Sequence, residues 1–108
     1  MPTIAEQMKG LVSKFKAAEA KGWNRILQIT VTGTGGGVWH FIIQDQKVEF
    51  KEGENPKANM KVTTDVATWK SMGEGKLSGT SAFMSGKLKA QGPMADLIKT
   101  GKVFPGMF

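Results

Sequence analysis

The chain reads as an α+β domain: a five-stranded, mostly antiparallel sheet with helices covering one face, in the order α-β-β-β-(crossover)-β-α-α-β-α. Three observations predict it. Five short segments alternate apolar and polar residues with period two, which gives each an apolar face and a largely polar one. Stretches with apolar residues at helical spacing stand before, between and after them. The polar, turn-rich Glu52-Gly53-Glu54-Asn55-Pro56-Lys57 breaks the run after the third strand and leaves room for a crossover. At 108 residues there is chain for one domain and one hydrophobic core.

Ile4, Met8, Leu11, Val12, Phe15 and Ala18 recur at helical spacing, with Glu6, Lys9, Ser13, Lys14 and Lys16 on the other side, so one amphipathic helix is expected over residues 3–20. Gly22 closes it. In Arg25–Thr32, Leu27, Ile29 and Val31 share one parity and Gln28, Thr30 and Thr32 the other, as in a half-buried strand. The glycine cluster Gly33-Thr34-Gly35-Gly36-Gly37 lacks the lysine-serine or lysine-threonine pair of a phosphate loop, so it is read as a hairpin. Val38–Gln44 sets Trp39, Phe41 and Ile43 against Val38, His40 and Ile42. It is the most apolar strand and is expected at the centre of the sheet. Asp45-Gln46 is a turn, and Lys47–Lys51 alternates strictly as a third strand.

After the crossover, Ala58–Thr63 is strand four, and Thr64-Asp65 caps a helix that carries Val66, Trp69 and Met72 inward. Ser78 then caps a short helix bearing Ala82, Phe83 and Met84, and Gly86 supplies the left-handed exit into strand five, Lys87–Gln91. Pro93 starts a last helix with Met94, Leu97 and Ile98 on one side and Gly101 beyond its end. Val103, Phe104, Met107 and Phe108 follow as an apolar tail, expected either to plug a cavity mouth or to touch membrane.

Composition removes several functions. There is no cysteine, so disulfides, thiol chemistry and cysteine-ligated metals drop out. His40, the single histidine, has Trp39 and Phe41 as neighbours and no second ligand, so neither a metal site nor a cofactor is expected. Ser78, Ser81 and Ser85 lack a partnered base and no carboxylates pair in an apolar setting, so no catalytic residue is assigned and the domain is read as a non-enzyme. A net charge of +6 favours anionic partners. Arg25 is the one arginine, however, and the polar face of the sheet, Gln28, Thr30, His40, Lys47, Glu49, Lys51, Lys61, Lys87, Lys89 and Gln91, has no stacking ring, which argues against nucleic acid. No apolar run is long enough to span a bilayer and the start does not read as a secretory signal, so the cytoplasm is the expected location.

Ala82-Phe83-Met84-Ser85-Gly86-Lys87-Leu88-Lys89 matches position by position the alanine-phenylalanine, two variable residues, glycine-lysine-leucine-lysine segment of the sterol carrier protein 2 family of lipid-transfer domains. Thr63-Thr64-Asp65 before Trp69 fits the strand-to-helix step upstream, and the likeness covers essentially the whole chain. Ala90 stands where that family usually has a larger β-branched residue, and Pro93 where a polar residue commonly precedes the methionine matched by Met94. Both changes point to a reshaped cavity. The resemblance implies an SCP2-like apolar tunnel between helices and sheet that holds a fatty acid, acyl-CoA, phospholipid or sterol with no catalytic group. The residues expected to line it are Leu11, Phe15, Trp39, Phe41, Trp69, Met72, Phe83, Met84, Met94, Leu97, Ile98 and Phe104. Seven methionines suit ligands of varied shape. The expected partners are a lipid or fatty acyl ligand and, transiently, an anionic membrane, with the chain a monomer or homodimer. The alternative is an interaction or dimerisation module of the same fold whose groove takes a polypeptide segment.

Overall fold

Strand β1 (Arg25–Thr32) lies in the middle of a five-stranded sheet ordered β3-β2-β1-β4-β5, where β2 is Gly37–Gln44, β3 Lys47–Glu52, β4 Met60–Asp65 and β5 Leu88–Gln91. The computed structural model describes residues 3–104, the side chain of Thr80 excepted. Three strand pairs are antiparallel, and β1 with β4 is parallel. That parallel pair is what the crossover at Glu52–Lys57 produces, because a chain leaving β3 must recross the sheet to enter β4 in the direction of β1. β1 therefore takes the centre in place of β2: hydropathy counts buried faces, while strand order follows from the crossover. Asp45 and Gln46 adopt left-handed backbone (φ 53° and 60°), the conformation a tight hairpin between β2 and β3 needs.

Alternation works as the sequence implies on the core side. Leu27 faces Phe41 and Met60 across the two ladders, and Ile29 faces Trp39 and Val62. All six are buried. Helices α2 (Val66–Gly73) and α4 (Met94–Val103) supply Trp69, Met72 and Val103 to the same core, and α1 (Ile4–Gly10) supplies Ile4 and Met8. Helix α3 (Gly79–Met84) contributes Ala82. Asp65 caps α2 by accepting the Thr68 N–H at 2.6 Å, and the Thr68 hydroxyl, followed by this N–H, holds its carboxyl below the ordinary range.

The single N-terminal helix is divided. α1 ends at Gly10, and the chain continues as 3-10 turns at Leu11–Lys14 and Ala17–Ala20, with Phe15 extended between them. Gly10 weakens the helix, and the break is sealed by the Lys16 N–H donating to Val103 O at 2.8 Å while Phe15 packs on Phe104 at 5.5 Å between ring centroids. The register shift exposes Ala18 and buries Ala20. On the outer face of the sheet, Gln28 and His40 are buried rather than solvated, because the crossover runs over them: Gln28 Oε1 accepts the Asn55 N–H at 2.8 Å, and His40 Nδ1 lies 2.9 Å from Gly53 O.

The last helix also runs past its expected stop, through Gly101 to Val103, and delivers Val103 and Phe104 fully buried into the core. Phe104 packs against Phe15 and Phe41 with tilted rings, so these two residues neither plug a mouth nor meet a membrane. Burying an aromatic ring outweighs the small cost of one helical glycine. Met107 and Phe108 lie outside the described residues.

Candidate functional site

The site grows from the Ser78–Gly92 segment. The Ser78 hydroxyl accepts the Ser81 N–H at 3.0 Å and starts α3, and Ala82 anchors the helix in the core. The helix ends in paired hydrogen bonds, Lys87 N–H to Ala82 O and Gly86 N–H to Phe83 O, with Gly86 left-handed at φ 77°. The chain reverses there and enters β5 with Leu88 buried and Ala90 half-buried toward the helices. Ala82 thus holds α3 down while Phe83 and Met84 stay at the surface, 41% and 79% exposed.

The opposite wall is α4, whose orientation is set by polar contacts. Asp96 Oδ1 accepts the Trp23 indole N–H at 3.0 Å and Oδ2 pairs with Arg25 Nε at 2.9 Å. Thr100 donates to Asp96 O at 2.8 Å and lies 3.3 Å from Met60 Sδ. Asp96, Thr100 and Val103 recur three to four residues apart, so all face the sheet, and Met94, Ile98 and Lys102 come to the side toward α3. The Arg25 guanidinium, and after it the Trp23 N–H, hold the Asp96 carboxyl below the usual carboxylate range.

Between α3, β5 and α4 lies an open groove of about 610 Å³. Five of the residues expected to line a cavity meet here: Phe83, Met84, Met94, Leu97 and Ile98. Leu11, Trp39, Phe41, Trp69, Met72 and Phe104 are instead buried in the closed core, and Phe15 is packed partly buried against it. This groove lies at one edge of the sheet, among the described residues. Gly79, Leu88, Ala90, Gly101 and Lys102 complete the lining. The parity of β5 already placed Leu88 and Ala90 inward; Lys102 was hidden by the helix end expected at Gly101. It is the one charged group in a lining otherwise made of glycine and apolar residues. Such a surface suits an amphiphile with a long apolar body, and its volume is within the range of about 300–1,000 Å³ usual for small-molecule sites. The serines nearby are occupied structurally: Ser78 and Ser81 hydroxyls are 3.0 Å apart, and Ser85 donates to Ser81 O at 2.8 Å.

The model of the SCP-2 sterol transfer family matches residues 5–105. Hydroxysteroid dehydrogenase-like protein 2 of Xenopus laevis is 30% identical over 105 residues, 96% of this chain and 25% of that protein, so the chain spans about a quarter of that relative. The oleate-induced peroxisomal protein POX18 of Candida maltosa is 28% identical over 107 residues, covering 95% of this chain and 84% of that one. Among solved structures, palmitated SCP2L2 of Aedes aegypti superposes with a TM-score of 0.74 at 17% identity over 96% of each chain, which shows a shared fold.

Proposed function

The chain belongs to the SCP-2 sterol transfer family, a lipid-binding and lipid-transfer family, and from that membership and the groove we propose that it carries a single-chain lipid between α3, β5 and α4 without catalysing a reaction on it. The observation that carries this reading is that an apolar groove gathers Phe83, Met84 and Leu88 of the segment that resembles the family with Met94, Leu97 and Ile98 of α4. The names of an oleate-induced relative and of a palmitated structural neighbour are in keeping with a fatty acyl ligand, and the family's own description names a sterol. The cytoplasmic location expected from the sequence stands against a peroxisomal one suggested by the Candida maltosa relative's name. Among the described residues, no helix is long and apolar enough to cross a membrane.

Burying a methylene contributes about 0.8 kcal/mol, so a long acyl chain offers on the order of 10 kcal/mol before ordering costs, enough for micromolar affinity at about 8 kcal/mol. Titration with a fluorescent fatty acid tests it. Saturable binding is expected below tens of micromolar, on the order of that estimate. Phe83→Ala, at a half-exposed ring, is expected to remain folded and to lose about tenfold in affinity, whereas Phe104→Ala is expected to cost about 3–5 kcal/mol of stability as a fully buried ring. Absence of saturable binding by the folded wild type would overturn the carrier reading, and undiminished binding by Phe83→Ala would move the ligand away from this groove.

A further inference from the structure

The lining between α3, β5 and α4 carries two thioethers, Met84 and Met94, and both side chains are exposed. The other readily oxidised side chains among the described residues are closed off. Met8, Met60 and Met72 are buried, and so are Trp23, Trp39, Trp69 and His40. The chain has no cysteine, so no thiolate competes for an oxidant. Because access decides which thioether reacts, the fold directs oxidation of its described residues to the wall of one groove. Met1 and Met107 lie outside the described residues.

We propose that Met84 and Met94 form an oxidation site that controls the groove: hydrogen peroxide or an organic hydroperoxide converts them to sulfoxides, and the altered lining releases its lipid until the sulfoxides are reduced. The consequence for lipid rests on the carrier reading, whereas the selectivity of the oxidation does not. In each event the O–O bond of the peroxide breaks and an S=O bond forms. The sulfur gives up two electrons, the proton on the transferred oxygen passes to the departing one, and the peroxide leaves as water or as an alcohol. The product is a polar side chain in place of a flexible apolar one. Lys102 is the one side-chain donor in a lining otherwise made of glycine and apolar residues, so two sulfoxides cannot both be satisfied there. An acyl chain seated against them strips water from the new oxygens without replacing its hydrogen bonds, which weakens binding. The fold is left intact, because neither side chain belongs to the core. Methionine sulfoxide reductases, one for each epimer, reverse the change.

Treatment of the full chain with limiting hydrogen peroxide, followed by peptide mass spectrometry and titration with a fluorescent fatty acid, tests the proposal. Met84 and Met94 are expected to gain oxygen about tenfold or more faster than Met8, Met60 and Met72, and saturating palmitate, itself inert to peroxide, to slow them. The oxidised protein is expected to bind fatty acid about tenfold more weakly at an unchanged melting temperature. Incubation with both methionine sulfoxide reductases should restore the starting affinity. Met84→Leu/Met94→Leu retains Met1 and Met107, so it is compared with itself before and after peroxide, and its affinity, whatever the starting value, should not fall. Groove methionines that oxidise no faster than the buried ones would overturn the proposal. So would an equal fractional loss in the leucine variant, or a loss in the wild type that the reductases do not reverse. The two readings fail differently: untreated wild type that binds no fatty acid sinks the carrier and the switch with it, and fatty-acid binding that survives oxidation of Met84 and Met94 sinks the switch alone.

Discussion

Asp96 decides how α4 sits, although its neighbours in sequence point the other way. Met94, Leu97 and Ile98 look like the inward side of the last helix, yet Met94 and Ile98 are 56% and 60% exposed while Asp96 is buried. The reason lies 71 residues away at Arg25, whose guanidinium supplies the counter-charge that makes burial of a carboxylate tolerable. Arg25 is itself partly exposed, so the pair is partly screened. Asp96→Asn keeps an acceptor for Trp23 but removes the partner of Arg25, and is expected to cost about 1–2 kcal/mol in urea denaturation at neutral pH. The pH dependence follows from the sign of the shift. A carboxyl whose folded pKa lies below its unfolded value of about 3.9 contributes fully above that value and loses its contribution as pH falls through the folded one. Wild type and Asp96→Asn should therefore converge as the pH is lowered below about 4. A difference that stays constant into acid would mean that the contact is steric rather than electrostatic.

Among the elements, the step from β5 to α4 is constrained by both backbone conformation and close approach. Gly92 sits at φ +128°, and a Cβ there would stand 2.8 Å from Asn59 O and 3.3 Å from Met60 Cα, both backbone atoms of the neighbouring strand region. Gly92→Ala is expected to destabilise by at least about 1–3 kcal/mol from the backbone conformation alone. Gly73, the last residue of α2, has nothing within 4 Å of the same position, and Gly73→Ala is expected to gain up to about 1 kcal/mol. Thermal melts of the two variants check the contrast, and equal shifts would show that the β5–α4 turn can relax. Starts and turns of this kind were legible in the sequence: Asp65, Ser78 and Gly86 act where their chemistry places them, because a cap or a left-handed exit depends on a few adjacent residues, while Pro93 stands one residue ahead of the helix rather than at its first position. Ends were less legible. Gly101 reads as a stop, but the helix continues because Val103 and Phe104 have core partners that local propensity does not register.

At the scale of the whole molecule, one core joins all the strands and helices, and the tryptophans sample it from different elements: Trp23 before β1, Trp39 on β2 and Trp69 on α2, the last donating to Gln7 Oε1 of α1 at 3.1 Å. Unfolding is therefore expected to be cooperative, with tryptophan fluorescence and far-ultraviolet circular dichroism giving the same midpoint. Separated transitions would show that the α3–β5–α4 edge, where the groove lies, opens independently of strands β1 to β3. The amino-acid order was sufficient for the α+β class, the five strands and their apolar faces, and the family segment around Phe83 and Gly86, since period-two alternation, caps and glycine exits are properties of neighbouring residues. It could not show that β1 rather than β2 is central, that Gln28 and His40 lie under the crossover, or that half of the apolar residues suited to lining a cavity are closed core. Those outcomes depend on which distant segments meet. Apolar character makes Phe41 and Ile98 equivalent in sequence, and packing separates them: one is enclosed by Phe50 and Phe104, and the other is left at the groove because Asp96 and Thr100 turn their side of α4 to the sheet.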